Sequence, residues 1–361
     1  MKRYLFIYSL ILSVLVACNG KGLDTWTSDE NAKVYLSARV ASNAVTKAPY
    51  VPAVDPDNYF DAPTNENPLS TDVWASSTPN LFQNKQLNGS ENKEVAFHTW
   101  ATFQNYGPQL LHDIIYSKSG EKIYFVAFAP KGQWTDDDNG KYAQANFDGK
   151  TDLMYAPQVE GWYGNKDENN VFRWPELKFY HLLTWLRFEF VAENEDVSLT
   201  WGKLKDIKIV SKNQIHVDVT EEFNPEEFNP SNPAIYFIGE GSSFMPLYST
   251  GTDNVFPSGE YEIPYKGAEE KAYILCESVK ALDSLDGQKV PEYTLKITTE
   301  NREVTVPIDL KDGPNSYYNG TTRARQFTIK LTFKVGDKIT AAASIRDWEN
   351  GGIIEGIVDE N

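Results

Sequence analysis

Residues 326–335, QFTIKLTFKV, constrain what this chain can fold into more than any other stretch. Phe327, Ile329, Leu331, Phe333 and Val335 alternate with Thr328, Lys330, Thr332 and Lys334. Successive side chains of a strand point to opposite faces, so a period of two describes a strand with one face in a core and one in water. The pattern recurs. In KVYLSARVAS (33–42), Val34, Leu36, Ala38 and Val40 share one parity and Tyr35, Ser37 and Arg39 the other. EVAFHTWATF (94–103) and KITAAASIRDW (338–348) read as further strands. YTLKITTENREVTVPIDL predicts a hairpin in which Leu295 and Ile297 answer Val304, Val306 and Ile308. DIKIVSKNQIHVDV predicts another, with Ile207 and Ile209 against Ile215 and Val217 around Lys212-Asn213.

Two segments depart from simple alternation. EKIYFVAFAP (121–130) is apolar on both parities, which predicts a central strand covered on both faces. LKFYHLLTWLRFEFVA begins with an odd-numbered apolar set (Phe179, His181, Leu183) and continues with an even-numbered one (Leu186, Phe188, Phe190). Keeping both sets on one core predicts a β-bulge near Thr184. GPQLLHDIIYS predicts a short helix starting at Pro108, with Leu110, Leu111, Ile114 and Ile115 on one side. Residues 43–82 and 131–151 read as loop.

Many short strands and almost no helical period predict an all-β chain. The turn-rich EEFNPEEFNPSNP (221–233) marks a junction, giving two tandem β-sandwich domains over 33–222 and 223–361. Nine Trp, twenty Tyr and nineteen Phe suffice to fill such cores.

The chain opens MKRYLFIYSLILSVLVACNG. Its apolar run, Tyr4 to Ala17, is about 14 residues and reaches only ~21 Å as a helix, whereas a bilayer core of ~30 Å needs roughly 20. Lys2 and Arg3 precede the run and a small residue closes it, so residues 1–17 read as a secretory signal. The LVAC tail resembles a bacterial lipobox, which implies cleavage before Cys18 and acylation of its thiol. Residues 18–32 then form a polar, lipidated tether, and the lipid is the membrane partner. With Cys18 acylated, Cys276 is the remaining thiol, placed by Ile274 and Leu275 in an apolar setting.

A net charge of −17 gives no footprint for nucleic acid. His98, His112, His181 and His216 are not at metal-ligand spacing; His216 reads as solvent-facing and His181 as a core histidine with a satisfied hydrogen bond. TDDDNGK (135–141) does not match a calcium loop, GEGSSF is not a nucleophile elbow, and no cofactor motif occurs. Nothing here predicts an enzyme, a metal or a cofactor.

Several features occur together in order. They are the lipobox, the early strand, KTDLMYAP (150–157), LKFYHLLTWLRFEF (177–190) and the closing FTIKLTFKVGDKITAAASIRDWENGG (327–352). This set resembles the fimbrillin family of Bacteroidales, the subunits of type V pili. The resemblance rests on Asp152, Leu153, Met154 and Ala156; on Phe179, His181, Leu183, Thr184, Leu186 and Phe188; and on Trp348, Gly351 and Gly352. It implies two transthyretin-like sandwiches, and an exported lipoprotein whose N-terminal strand is removed by a processing protease. A neighbouring fimbrial subunit would then supply a strand to the open groove, by β-augmentation. Here the removed strand would be KVYLSARVAS, cut after Lys47 or, alternatively, Arg39. The donor would be the C-terminal GIIEGIV, through Ile354 and Val358 or Ile353 and Ile357, or that tail finishes its own sheet. The subunit would mediate adhesion to a host or bacterial surface ligand. The other reading is a monomeric surface lipoprotein that binds glycans through exposed aromatic side chains.

Overall fold

The computed structural model describes residues 31–33, 36–40, 48–49, 59–60, 69–80, 96–104, 107–110, 115–117, 120–136, 141–165, 168, 175–223, 234–239, 243–252, 254–279, 292–308, 310, 325–336 and 338–347. They form strands in several sheets, with one short helix.

The segment that is apolar on both parities sits at the middle of the largest sheet, as predicted. This strand, β9 (Ile123–Ala129), is buried at every position but Tyr124. It lies between β5 (Leu69–Ser76) and β12 (Met154–Gly161). Beyond β5 come β6 (Ala96–Gln104) and β7 (Gly107–Leu110); beyond β12 come β13 (Glu176–His181) and β2 (Ser37–Val40). All neighbours are antiparallel except β2, which runs parallel to β13. The sheet curls until Cα atoms of its two end strands, β2 and β7, come within 8 Å. Leu36, Leu69, Val73, Phe125, Leu177 and Phe179 fill a core on one face. Trp74, Phe128 and Tyr155 belong to the other face, where Phe128 lies 5.3 Å from Trp74 and 4.9 Å from Tyr155 between ring centroids.

A four-stranded sheet covers that second face. Its order is β10 (Trp134–Asp136), β11 (Tyr142–Asn146), β16 (Gln214–Asp218) and β17 (Ile235–Ile238). Trp134 joins the two layers: its ring stands 4.7 Å from Phe128, and its indole N–H donates to the Ala129 carbonyl.

Two further sheets complete the larger core. One has the order β19 (Tyr248–Ser249), β20 (Glu269–Cys276), β14 (Thr184–Ala192), β23 (Arg325–Phe333) and β24 (Ile339–Asp347). The other has the order β18 (Phe244–Pro246), β15 (Leu204–Val210), β21 (Tyr293–Thr299) and β22 (Glu303–Ile308). Between β14 and β15 lies α1 (Glu195–Trp201), capped by Asn194 Oδ1 accepting from Val197 N–H at 3.0 Å. Two small pairs stand apart: β1 (Asn31–Lys33) with β8 (Ile115–Ser117), and β3 (Ala48–Pro49) with β4 (Tyr59–Phe60).

Several sequence expectations are corrected. Residues 69–76 are a buried strand, not loop. Their Ser, Thr and Asp content hides the strand because a tertiary partner satisfies the polar groups; Asp72 Oδ2 accepts from Gly132 N–H at 2.7 Å. Residues 107–110 form β7 rather than a helix start, with Pro108 opposite Phe103 on an end strand, where its missing N–H disturbs least. The expected bulge near Thr184 is a corner. β13 ends at His181, and β14 begins at Thr184 in a different sheet. The parity changes because Phe179 and Phe188 fill different cores.

The hairpin at 293–308 forms in the predicted register, Leu295 opposite Val306 and Ile297 opposite Val304. The one at 206–219 does not. β15 pairs with β18 and β21, while β16 pairs with β11 and β17. The connecting backbone is held elsewhere: Lys212 N–H donates to Glu277 Oε1, and Ser211 N–H to the Ser243 carbonyl. Val335 is 72% exposed, because β23 ends at Phe333 and the chain turns at Gly336, with φ +79°. Strand pairing also runs across the turn-rich stretch, since β14 and β15 both pair with strands beyond residue 233.

Candidate functional site: the edge held by the N-terminal strand

The residues predicted to form a removable strand occupy an end of the seven-stranded sheet. Ser37, Ala38, Arg39 and Val40 are level with Glu176, Leu177, Lys178 and Phe179 of β13. Leu36, just before the strand, is 1% exposed and seated in the core with Leu177 and Phe179. Ala38, on the same parity, is half-buried against that core. A few residues earlier, β1 pairs with β8, so the N-terminal segment is tied to the fold at two places.

The energetics of this attachment are modest. Burying one leucine contributes about 2 kcal/mol, and each ladder hydrogen bond adds about 1 kcal/mol net. The four residues of β2 at a sheet end thus contribute only a small part of the sheet's stability, with the β1–β8 pairing as a second tie. Their departure would uncover the edge of β13 and the apolar floor formed by Leu177 and Phe179.

Arg39 lies inside the paired strand, level with Lys178. Cleavage there requires the strand to come off first, because a protease takes its substrate in extended, unpaired form. Cys18, Lys47 and the tail residues Ile353, Ile354, Ile357 and Val358 lie outside the described residues, as do His112, Trp348, Gly351 and Gly352.

Two of the stretches in the resemblance, around Asp152 and around His181, meet at the corner between β13 and β14. His181 Nδ1 sits 2.5 Å from Asp152 Oδ2, with both side chains almost fully buried. Burial pushes the Asp152 carboxyl above its ordinary range, and His181 pulls it partway back. Next to them, Leu182 N–H donates to the Leu153 carbonyl at 2.9 Å, and Leu153, Met154, Ala156, Leu183 and Thr184 are all buried. The prediction of a core histidine with a hydrogen bond holds. Its partner was missed, since 29 residues separate Asp152 from His181 and no local pattern links them.

His216 is half-buried rather than solvent-facing, because its ring stands 5.3 Å from that of Tyr236 on the neighbouring strand. Cys276 is fully buried, with its Sγ 3.8 Å from the Thr184 carbonyl, and burial pushes its thiol well up. A raised thiol value means that the folded chain holds its proton longer than the unfolded chain. The stability this contributes is present below pH 9.0, the ordinary value, and is lost as pH rises toward the folded value. Cys276 of the native protein is expected to resist thiol reagents at pH 8 and to react fully in denaturant. Cys276→Ala is expected to flatten part of the stability loss above pH 9; rapid labelling of Cys276 in the native chain, located by peptide mass, would contradict this burial.

Among the described residues no group of three or more His, Cys, Asp or Glu could hold a metal ion. Among them, too, no helix is long and apolar enough to cross a membrane.

The chain matches no family model and no curated protein. Among solved structures it is similar to a candidate cell adhesion protein from Bacteroides uniformis, at 14% identity and a TM-score of 0.49, over 89% of this chain and 100% of that one. It is similar to a fimbrial protein from Bacteroides vulgatus at 14% identity and a TM-score of 0.45, over 88% and 99%. It is also similar to the fimbrial anchor protein Mfa2 from Porphyromonas gingivalis at 12% identity and a TM-score of 0.39, over 90% and 99%.

Proposed function

We propose that this chain is a structural subunit of cell-surface fimbriae that mediates adhesion. In this reading it is exported as an outer-membrane lipoprotein through Cys18, and a protease removes its N-terminal strand after Lys47 or Arg39. The opened edge then takes a strand from another fimbrial subunit. The observation that carries the reading is the placement of Ser37–Val40 as a short parallel end strand, anchored by Leu36 in the core. A strand of that kind is held well enough to keep the precursor closed and weakly enough to be exchanged.

The reading treats the chain as two transthyretin-like sandwiches. The strand pairing favours a path that crosses between them three times: at Leu182–Leu183, at Ser211–Asn213 and between Ile238 and Phe244.

Limited trypsin treatment tests the proposal. A cut after Lys47 or Arg39 is expected to convert monomer into a ladder of oligomers, and deletion of residues 353–358 is expected to abolish the ladder. Cleanly cut chains that stay monomeric would overturn it. Mass spectrometry of the native surface protein would show which N-terminus it carries: acylated Cys18, or the residue after either cut.

A further inference from the structure

We propose that the slot filled by β2 is matched to residues 354–358 of a second copy of this chain in one register: Ile354 takes the place of Leu36, Gly356 that of Ala38 and Val358 that of Val40. This register rests on the strand-exchange reading above and selects one of the two parities open to the tail.

The slot sets the pattern. Leu36 is 1% exposed, in the core with Leu177 and Phe179. Ala38 is half-buried against the same core, level with the fully buried Leu177. Val40 is level with Phe179, which is also fully buried. The positions on this parity therefore run large, small, large, at a spacing of two. β7 comes within 8 Å of β2, so an incoming strand has a sheet end on either side of it.

The tail repeats the pattern on one parity only. Ile354, Gly356 and Val358 read large, small, large. Glycine inside a strand suits a place where neighbours approach closely. Ile353, Glu355 and Ile357 read large, charged, large. That parity would set the Glu355 carboxylate at the Ala38 level, against Leu177, where it loses water and gains no partner. A shift by one residue turns every side chain to the other face, so the two parities exclude each other.

The opposite parity weighs less. In the closed chain Arg39 is level with Lys178, two cationic residues at one step of the ladder, and like charges at one step weaken a strand pair. In the proposed register Ile357 takes the Arg39 level and that step loses its like charges. Glu355 comes level with Glu176, which is exposed, so water and salt screen the two carboxylates.

Aspartate substitutions in the tail of the full chain, followed by the trypsin ladder, test this. Ile354→Asp and Val358→Asp are each expected to reduce laddering by about tenfold or more, and Ile353→Asp and Ile357→Asp to keep most of it. An unchanged Tm of each uncut variant would show that the fold is intact. A cysteine pair reads the register directly. Copies with Lys178→Cys, mixed with copies carrying Ile357→Cys and then cut, are expected to form disulfide-linked dimers; Gly356→Cys in place of Ile357→Cys is expected not to. If the unsubstituted chain is cleanly cut and stays monomeric, the strand-exchange reading falls and this register with it. If that chain ladders but the four aspartate variants behave alike, or Ile353→Asp and Ile357→Asp are the ones that fail, strand exchange stands and this register is overturned. Dimers through Gly356→Cys alone would overturn it equally.

Discussion

Leu36→Asp is expected to lower stability by about 3–5 kcal/mol and to free the N-terminal strand. Leu36 is 1% exposed in the core beneath the seven-stranded sheet, and it anchors a parallel strand of only four residues. A carboxylate placed there must either be buried unpaired or pull Ser37–Val40 away from β13. The second course costs less, because only a short ladder breaks. The variant should be cut by trypsin at Arg39 at least tenfold faster than the parent, while β9 and β14 stay protected in hydrogen exchange. Loss of protection throughout the sheet would show that the strand is an integral part of the core. An unchanged cutting rate would show that Leu36 does not hold the strand.

The second large effect concerns the corner between β13 and β14. Asp152→Ala is expected to cost about 3 kcal/mol, because it leaves the His181 imidazole buried without the carboxylate 2.5 Å away. Asp152→Asn should cost less, since its carboxamide can still hydrogen-bond Nδ1 in either tautomer. The two variants also separate in pH dependence. Burial raises the Asp152 carboxyl above its ordinary 3.8, so the folded chain binds that proton more tightly than the unfolded chain. The contribution is fully present below pH 3.8 and is lost as pH rises through the raised folded value. Both variants remove that segment of the pH profile, but only the alanine also breaks the corner. Urea midpoints between pH 3 and 8, combined with a double-mutant cycle to His181→Phe, would measure the coupling. Additive effects in the cycle would mean that the two side chains do not act as a pair.

The carboxylate–imidazole pair also joins two of the stretches in the resemblance. Asp152 precedes β12, and His181 ends β13. Their contact fixes where the chain leaves the seven-stranded sheet, and the adjacent Leu182–Leu153 hydrogen bond closes the same corner. Neither stretch read alone shows why Asp152 or His181 is there; the reason appears only when both are seen together.

What the sequence by itself determined was the all-β class and the inward parity of the strands it revealed; the strands at 69–76, 107–110, 134–136 and 142–146, read as loop or helix, were not among them. Phe327, Ile329, Leu331, Phe333, Leu295 and Ile297 are buried as their parity predicts, although Thr328 on the opposite parity is buried too, and β9 is covered on both faces as its composition predicts. Even Leu36, the anchor of the candidate assembly edge, was legible as an inward-facing residue. Alternation is a local property, imposed by backbone geometry on each residue in turn. Which strand lies beside which was decided only by the tertiary structure. Ladder hydrogen bonds join peptide groups that every residue carries alike, so Ile207 and Ile209 fit against Leu295 and Ile297 at least as well as against the nearby Ile215 and Val217. The same holds where Thr184 begins a new sheet rather than a bulge. A change of parity says that the chain has a second core to fill, but not whether that core lies across a bulge or around a corner.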